Sequence, residues 1–164
     1  MAYLLDADVF IRAKNLHYGF DFCPAFWDWI VAQNMAGGLF SVEKVGDEVL
    51  AIEDELSDWA RGLDRGFFLR PDAVAFPALA QVSAWASGHH YEVSAVNTFL
   101  QVADYYLVAQ ALAGQHTVVT HEIPSASTRK IKVPDACMGL GIKCMTPYEM
   151  LRRERARFIL GPPL

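Results

Sequence analysis

Cysteine is scarce in this sequence, and the pattern of the few thiols argues against two kinds of structure. The 164 residues contain three cysteines, Cys23, Cys137 and Cys144, and no two of them form a CxxC pair. An odd number of widely spaced thiols argues against a disulfide framework and against a zinc site built on thiolates. We therefore expect reduced cysteines that pack in the core.

Long hydrophobic runs are also absent. The apolar stretches 73–86 and 99–113 are interrupted by proline, glutamine and Asp104, so neither provides the roughly 20 apolar residues that a membrane helix needs. Asp6 and Asp8 break the first apolar run, and no cationic segment precedes it, which argues against a secretory signal. The sequence predicts a cytoplasmic protein that does not enter a membrane.

Charge is unevenly distributed along a chain whose length suits one domain with one core. The net charge is −5, yet 6 Lys and Arg stand against 16 Asp and Glu before residue 129, and 8 against 3 from Arg129 onward. An acidic body thus carries a basic C-terminal quarter, including a predicted helix over 147–158. These cations form either a solvated helix face or a contact surface for a polyanion.

The stretch 3–11 combines a short apolar run with two carboxylates. The run ends at Asp6, and Asp8 follows two residues later. A strand buried on both faces is a continuous apolar run, and α/β folds place functional groups just beyond the carboxyl ends of such strands. We predict a parallel strand that delivers Asp6 to this edge. The alternative is that Asp8 only caps a helix beginning at Val9.

Three further acids have a local reason to face the same edge: Glu48, Asp104 and Glu122. The periodic apolar residues in 45–63 predict one amphipathic helix, with Glu48 on the shoulder of its buried stripe. A predicted helix over 103–113 places Asp104 on an otherwise apolar face. A β-branched strand over 117–120 is followed closely by Glu122.

Other patterns complete an α/β domain. They predict helices over 9–17, 24–35, 71–86 and 134–138, and strands over 39–42, 129–133 and 141–145. Thr146, Pro147 and Glu149 form a capping box that opens the final helix. The alternation of strands and helices predicts a central parallel sheet flanked by helices.

Four carboxylates gathered at one sheet edge would repel one another, because each negative charge disfavours ionisation of the next. A hard divalent cation removes this conflict. Ligation by oxygen alone suits Mg²⁺ or Mn²⁺. Such a site supports phosphodiester hydrolysis, in which metal ions activate water and stabilise the leaving oxygen.

The order of these segments resembles that of the PIN-domain nucleases. The matching stretches are Leu4-Leu5-Asp6, Asp47-Glu48-Val49, 104–111 and 118–122. A closer resemblance is to a PIN-like family of unassigned function, through CPxFWDW at 23–29 and KIxxPDxC at 130–137. The likeness covers residues 3–151 and implies a single PIN-like domain.

This resemblance implies a Mg²⁺- or Mn²⁺-dependent ribonuclease, often the toxin of a toxin–antitoxin pair and often dimeric. The implied partners are RNA, an antitoxin protein and a second copy of the chain. The implied metal ligands and catalytic acids are Asp6, Glu48, Asp104 and, through water, Glu122.

Other residues are expected to support these ligands. Asp8 and Thr120 would hold them by hydrogen bonds, and Lys130 and Lys132 would bind RNA phosphates near the metal, with the arginines of the final helix farther away. Many family members carry Asp or Asn at the position of Glu122, so Asp135 is the alternative fourth ligand.

Two other functions are compatible with the sequence. Asp6 and Asp8 are similar to the DxD pair of haloacid-dehalogenase-type phosphatases, in which the first Asp is the nucleophile. Those enzymes need a downstream Lys and then an acidic pair, whereas Lys130 and Lys132 come late and only Asp135 follows at useful distance. The second alternative is a non-catalytic PIN-like module that binds a partner protein.

Overall fold

Five parallel strands form one sheet in the part of the protein that the computed structural model describes, residues 1–161. In chain order they are β1 (Tyr3–Leu5), β2 (Leu39–Val42), β3 (Phe68–Leu69), β4 (Thr117–Val119) and β5 (Cys144–Met145). Their order across the sheet is β3-β2-β1-β4-β5. The predicted α/β fold with a central parallel sheet is confirmed.

Helices connect the strands and pack against the sheet. They are α1 (Ala7–Arg12), a π-helix (Ala13–His17), α2 (Pro24–Met35), α3 (Glu43–Leu50), α4 (Glu55–Arg61), α5 (Ala75–Ser87), α6 (Val93–Phe99), α7 (Ala103–Gly114), α8 (Val133–Leu140) and α9 (Pro147–Arg153). Within residues 1–161, none of them combines the length and the apolar character that crossing a bilayer requires.

The centre of the sheet is β1, which pairs with β2 on one side and β4 on the other. Leu4 and Leu5 are fully buried, as expected of a parallel strand covered on both faces. Because β2 and β3 lie on one side and β4 and β5 on the other, the strand order reverses between β1 and β4. Open α/β sheets bind ligands beyond the carboxyl ends of their strands at such a reversal. Asp6 follows β1 and Thr120 follows β4, so both lie at this point.

The predicted single helix over 45–63 is wrong, because the structure has α3 and α4 with a break between them. Asp54 caps α4: its side chain accepts a hydrogen bond from the Ser57 N–H at 3.0 Å, and the Ser57 hydroxyl accepts one from the Asp54 N–H at 3.0 Å. Ile52, expected in the buried stripe, is 56% exposed. This local capping overrides the apolar periodicity.

Three other expectations differ from the structure. The short elements β3 and α6 have no counterpart in the predicted pattern. Residues 129–133 do not form a strand, and α8 instead begins at Val133. The final helix ends at Arg153 rather than at residue 158, and Arg155 beyond it has a left-handed backbone with φ of 54°.

Several local predictions are confirmed. The bounds of α2 and β2 are those expected from the sequence. Thr146 accepts a hydrogen bond from the Glu149 N–H at 3.2 Å in the predicted capping box of α9. The three thiols are free, with Cys137 buried and the other two partly buried.

Candidate functional site

Asp6 connects the end of β1 to the first turn of α1. Its backbone N–H donates to the Val119 carbonyl at 2.9 Å, which extends the pairing with β4 by one residue. Its Oδ1 accepts from the Ala7 N–H at 2.7 Å, and its Oδ2 accepts from the Thr120 hydroxyl at 2.8 Å. Asp6, rather than Asp8, is therefore the N-cap residue of α1. Within residues 1–161 it is the only Asp or Glu that is buried, at 5% exposure.

Thr120 links Asp6 to Asp8. Its hydroxyl oxygen lies 2.8 Å from Asp6 Oδ2 and 3.2 Å from Asp8 Oδ2, and it accepts from the Glu122 N–H at 3.1 Å. Asp8 Oδ2 also accepts from the His121 N–H at 3.1 Å. A hydroxyl has one hydrogen, so Thr120 donates to one carboxylate at a time. Thr120 therefore contacts both Asp6 and Asp8, and the predicted role of Asp8 and Thr120 in supporting metal ligands stays a prediction.

The acids at this edge act on one another electrostatically. Burial raises the pKa of Asp6 well above its ordinary value, and the charges of Asp8, Asp104 and Glu122 raise it further. Burial also raises the pKa of Asp104 to about 6, with additional effects from Glu122 and Glu48. The carboxylates that are far apart in sequence are therefore neighbours at one edge of the sheet.

Glu48 lies at the rim of this group. It is on α3, and its side chain is exposed to solvent, although partial burial of the carboxyl group raises its pKa. Its charge acts on Asp104, on the facing helix α7. The expectation that Glu48 faces the body of the domain is met only in part, since the side chain borders the site from the solvent side.

Glu122 has a structural contact as well as an electrostatic one. Its Oε2 accepts from the Val133 N–H at 2.8 Å, at the first residue of α8, where a negative charge is favourable. Asp135, the alternative fourth ligand, instead accepts from the Ser125 N–H at 3.0 Å and holds the loop after β4. The charge of Glu122 acts on Asp6 and Asp104, so Glu122 is nearer than Asp135 to the other acids, and its role as a ligand stays a prediction.

The donor atoms at this edge are carboxylate and hydroxyl oxygens, the ligand type that hard divalent cations prefer. The repulsion between Asp6 and Asp104 is the feature that a bound cation would relieve. Among residues 1–161, no three His, Cys, Asp or Glu side chains are grouped so that they could hold a metal ion together. Mg²⁺ is commonly held by one or two carboxylates and several waters, so the residues fit a hydrated ion rather than a closed cage.

Sequence reasoning missed a group of rings beside Asp8. His17 Nε2 and Tyr148 Oη are hydrogen-bonded at 2.9 Å, and the rings of His17 and His121 lie 5.5 Å apart. Burial lowers the pKa of His121 to about 4, and the nearby charges of Arg12 and His17 add to that effect. Three separate elements contribute these rings, so no motif reveals them. The spacing of four between Asp8 and Arg12 on a helix indicates that Arg12 lies beside Asp8, but it does not indicate the rings.

The cations near the site come from different parts of the chain. Lys130 is exposed, and its charge opposes the rise that burial imposes on the pKa of Asp104, which places it near that acid. Lys132 is the N-cap residue of α8. Arg153 lies at the opposite edge of the sheet, where it lines a cleft with Tyr3, the first residue of β1.

Comparison with known proteins identifies one family. A family model described as a domain of unknown function (DUF4411) matches residues 3–158. No curated protein and no solved structure matches the chain.

Proposed function

The chain belongs to the DUF4411 family, and we propose that it is a ribonuclease that depends on Mg²⁺ or Mn²⁺ and hydrolyses phosphodiester bonds. The observation that carries this proposal is the electrostatic state of Asp6. Its carboxyl group is buried at the end of the central strand, and three neighbouring carboxylates raise its pKa further. A divalent cation is the partner that makes such an arrangement favourable.

The residues at this edge of the sheet would have different roles toward a bound ion. A divalent ion bound here would supply an activated water and stabilise the leaving oxygen. Asp6 and Asp104 would hold it, with Glu48 and Glu122 reaching it through water. The Ala7 N–H fixes one oxygen of Asp6 and the Thr120 hydroxyl fixes the other, so the buried carboxylate keeps its orientation when its charge changes.

A phosphodiester chain is the substrate that the nearby cations favour. Lys130 lies on the Asp104 side of the site, and Arg12 follows Asp8 by one helical turn. Within residues 1–161, neither cation forms an ion pair, so both are available to phosphates. The choice of RNA rests on the resemblance to PIN-domain nucleases. The same resemblance supports an antitoxin protein and a second copy of the chain as partners, and these stay predictions.

The decisive test is RNA cleavage by the purified protein with Mg²⁺, with Mn²⁺ or with a chelator. We expect cleavage only with the divalent ions, and none by Asp6→Asn or Asp104→Asn. Asp28→Asn, at an exposed position on α2, is the matched control and should cleave like the wild type. Asp6→Asn keeps an oxygen that can accept from the Ala7 N–H, so it should melt no lower than the wild type without metal. A strongly lowered midpoint would assign Asp6 a structural role.

Two further measurements separate the alternatives. Turnover of a phosphomonoester, with no cleavage of RNA, would identify a phosphatase that uses Asp6 as nucleophile. A folded protein that hydrolyses neither substrate would be a binding module.

A further inference from the structure

Three side chains form a ring cluster beside Asp8: His17, His121 and Tyr148. They come from the π-helix, from the residue after Thr120 and from the first turn of α9. In addition to the hydrogen bond between His17 and Tyr148, the rings of His121 and Tyr148 lie 5.6 Å apart. All three side chains are partly exposed. The ring cluster is therefore a partly exposed aromatic surface next to Asp8.

The π-helix holds His17 in a defined position. Lys14, on the same π-helix, forms an ion pair with Asp54 at 2.7 Å. At the end of the π-helix, the Tyr18 carbonyl accepts from the Trp27 indole N–H at 2.7 Å. π-helices are rare and occur frequently at functional sites. A ring surface that is ordered in advance loses little conformational entropy when it binds a ligand.

Two arginines flank the ring cluster. Arg12 follows Asp8 by four residues on α1, and Arg152 follows Tyr148 by four residues on α9, so each lies on the same helix face as that residue. Burial raises the pKa of Tyr18, and the charge of Arg152 opposes that rise, which places Arg152 at the end of the π-helix. Both arginines are exposed, and in the part of the chain that the structure describes neither forms an ion pair.

We propose that the ring cluster, with Arg12 and Arg152, binds an unpaired nucleotide of a single-stranded RNA segment next to the carboxylate site. The base stacks on the ring of Tyr148, which the perpendicular ring of His17 holds in place, and the adjoining phosphates pair with the guanidinium groups. This inference rests on the proposed function and adds the residues that would hold a base beside the acids.

The chemistry of the surface favours a single strand over a duplex. An aromatic face can stack only on a base whose own face is free, and bases within a duplex are covered by their neighbours. A guanidinium group binds phosphate oxygens in a fork, which holds the backbone in one orientation. With Lys130 beside Asp104 and Arg12 beyond Asp8, cations on both sides of the acids define a path for the strand across the site.

The test uses the Asp6→Asn protein without divalent ions, so that RNA is bound and not cleaved. Fluorescence anisotropy compares an unstructured RNA with a duplex of the same sequence. Tyr148→Leu removes the ring and should weaken single-strand binding about tenfold, the size of one stacking contact, with little effect on the duplex. Tyr148→Phe keeps the ring and should bind like the parent. Tyr3→Leu, at the opposite edge of the sheet, is the matched control and should also bind like the parent.

The arginines provide a second, independent measurement. Arg152→Gln should reduce the slope of log K against log salt by about 0.7, as expected when one phosphate of a single strand is no longer neutralised. Arg153→Gln changes the next residue of the same helix, at the opposite sheet edge, and should leave the slope unchanged. An RNA with one abasic position, tested on the parent protein, should lose affinity as Tyr148→Leu does. The measurement with the abasic RNA does not depend on the folding of a ring variant.

Any of three outcomes would contradict the proposed subsite. Tyr148→Leu and Tyr3→Leu could weaken RNA binding equally, Tyr148→Leu could weaken single-strand and duplex binding equally, or the abasic position could leave the affinity unchanged. Cleavage by the wild-type protein, measured in parallel, tests the proposed function separately. If the wild type cleaves RNA and the ring variants bind normally, only the subsite is wrong. If it does not cleave and the ring variants lose binding, the nuclease assignment fails and the subsite stands.

Discussion

Thr120 donates a hydrogen bond to Asp6 at 2.8 Å, and this bond joins the ends of two adjacent parallel strands. β1 and β4 pair with Leu5 opposite Val119, so the residues that follow each strand meet. Both side chains are buried, at 5% exposure for Asp6 and 1% for Thr120. The register of the two central strands therefore sets the geometry of the site.

Thr120→Val should show how far this hydroxyl stabilises the acidic group. Valine has nearly the same shape and no donor, so Asp6 Oδ2 would be left without a partner, at a cost of about 1–3 kcal/mol in the free energy of unfolding at neutral pH. Urea denaturation at neutral pH measures the destabilisation. Thr120→Ser, which keeps the donor, should be destabilised less, and equal stability of the valine variant and the wild type would contradict the prediction.

Asp104 should make the metal-free protein less stable as the pH rises. Its pKa is raised from the ordinary 3.8 to about 6 in the folded state, so folding favours its protonated form. The resulting stabilisation is complete below pH 3.8 and is lost as the pH rises through 6, a change of up to about 3 kcal/mol. Asp104→Asn should remove this part of the pH dependence, and urea denaturation across the range measures it. Parallel stability profiles for Asp104→Asn and the wild type would show that Asp104 titrates normally.

Divalent ions should raise the thermal stability of the protein. An ion that binds the folded site alone stabilises it by roughly 2.7 kcal/mol at about 100 times its Kd. The effect should grow with rising pH, because the carboxylates must lose their protons to bind the ion. Melting curves with Mg²⁺ or Mn²⁺, against a monovalent salt of equal ionic strength, measure it. The response should vanish in Asp6→Asn/Asp104→Asn, and a response that persists there would place the ion elsewhere.

Lys130→Ala/Lys132→Ala should weaken RNA binding and flatten its salt dependence. For every phosphate that the variant no longer neutralises, the slope should fall by about 0.7 to 0.9, with little change in metal affinity, because neither lysine is a ligand. Binding of an RNA by the Asp6→Asn protein at several salt concentrations gives the slope. Arg153→Ala, at the opposite edge of the sheet, is the comparison. A lower slope with Arg153→Ala and an unchanged slope with the lysine pair would move the strand path to that edge.

Short-range patterns in the sequence were sufficient for several features. The apolar run that ends at Asp6, the bounds of α2 and the capping box of Thr146 and Glu149 were all predicted correctly. Each depends on residues within a few positions of one another, because strand burial and helix caps follow from the adjacent side chains. That Asp6 and Glu122 lie at the same edge of the sheet was also predictable, because each follows the carboxyl end of a parallel strand.

Only the tertiary structure decided the remaining features. At the break between α3 and α4, Asp54 combines a local cap with an ion pair to Lys14, 40 residues earlier in the chain, and only the structure shows that ion pair. The two-residue strand β3, which the sequence did not predict, exists because β2 lies beside it.

The ring cluster at the site is another feature that the sequence could not predict. His17, His121 and Tyr148 come from three elements of the chain, and no spacing in the sequence relates them. They meet because strand register and helix packing, which act between distant residues, determine which chain segments lie together at the edge of the sheet.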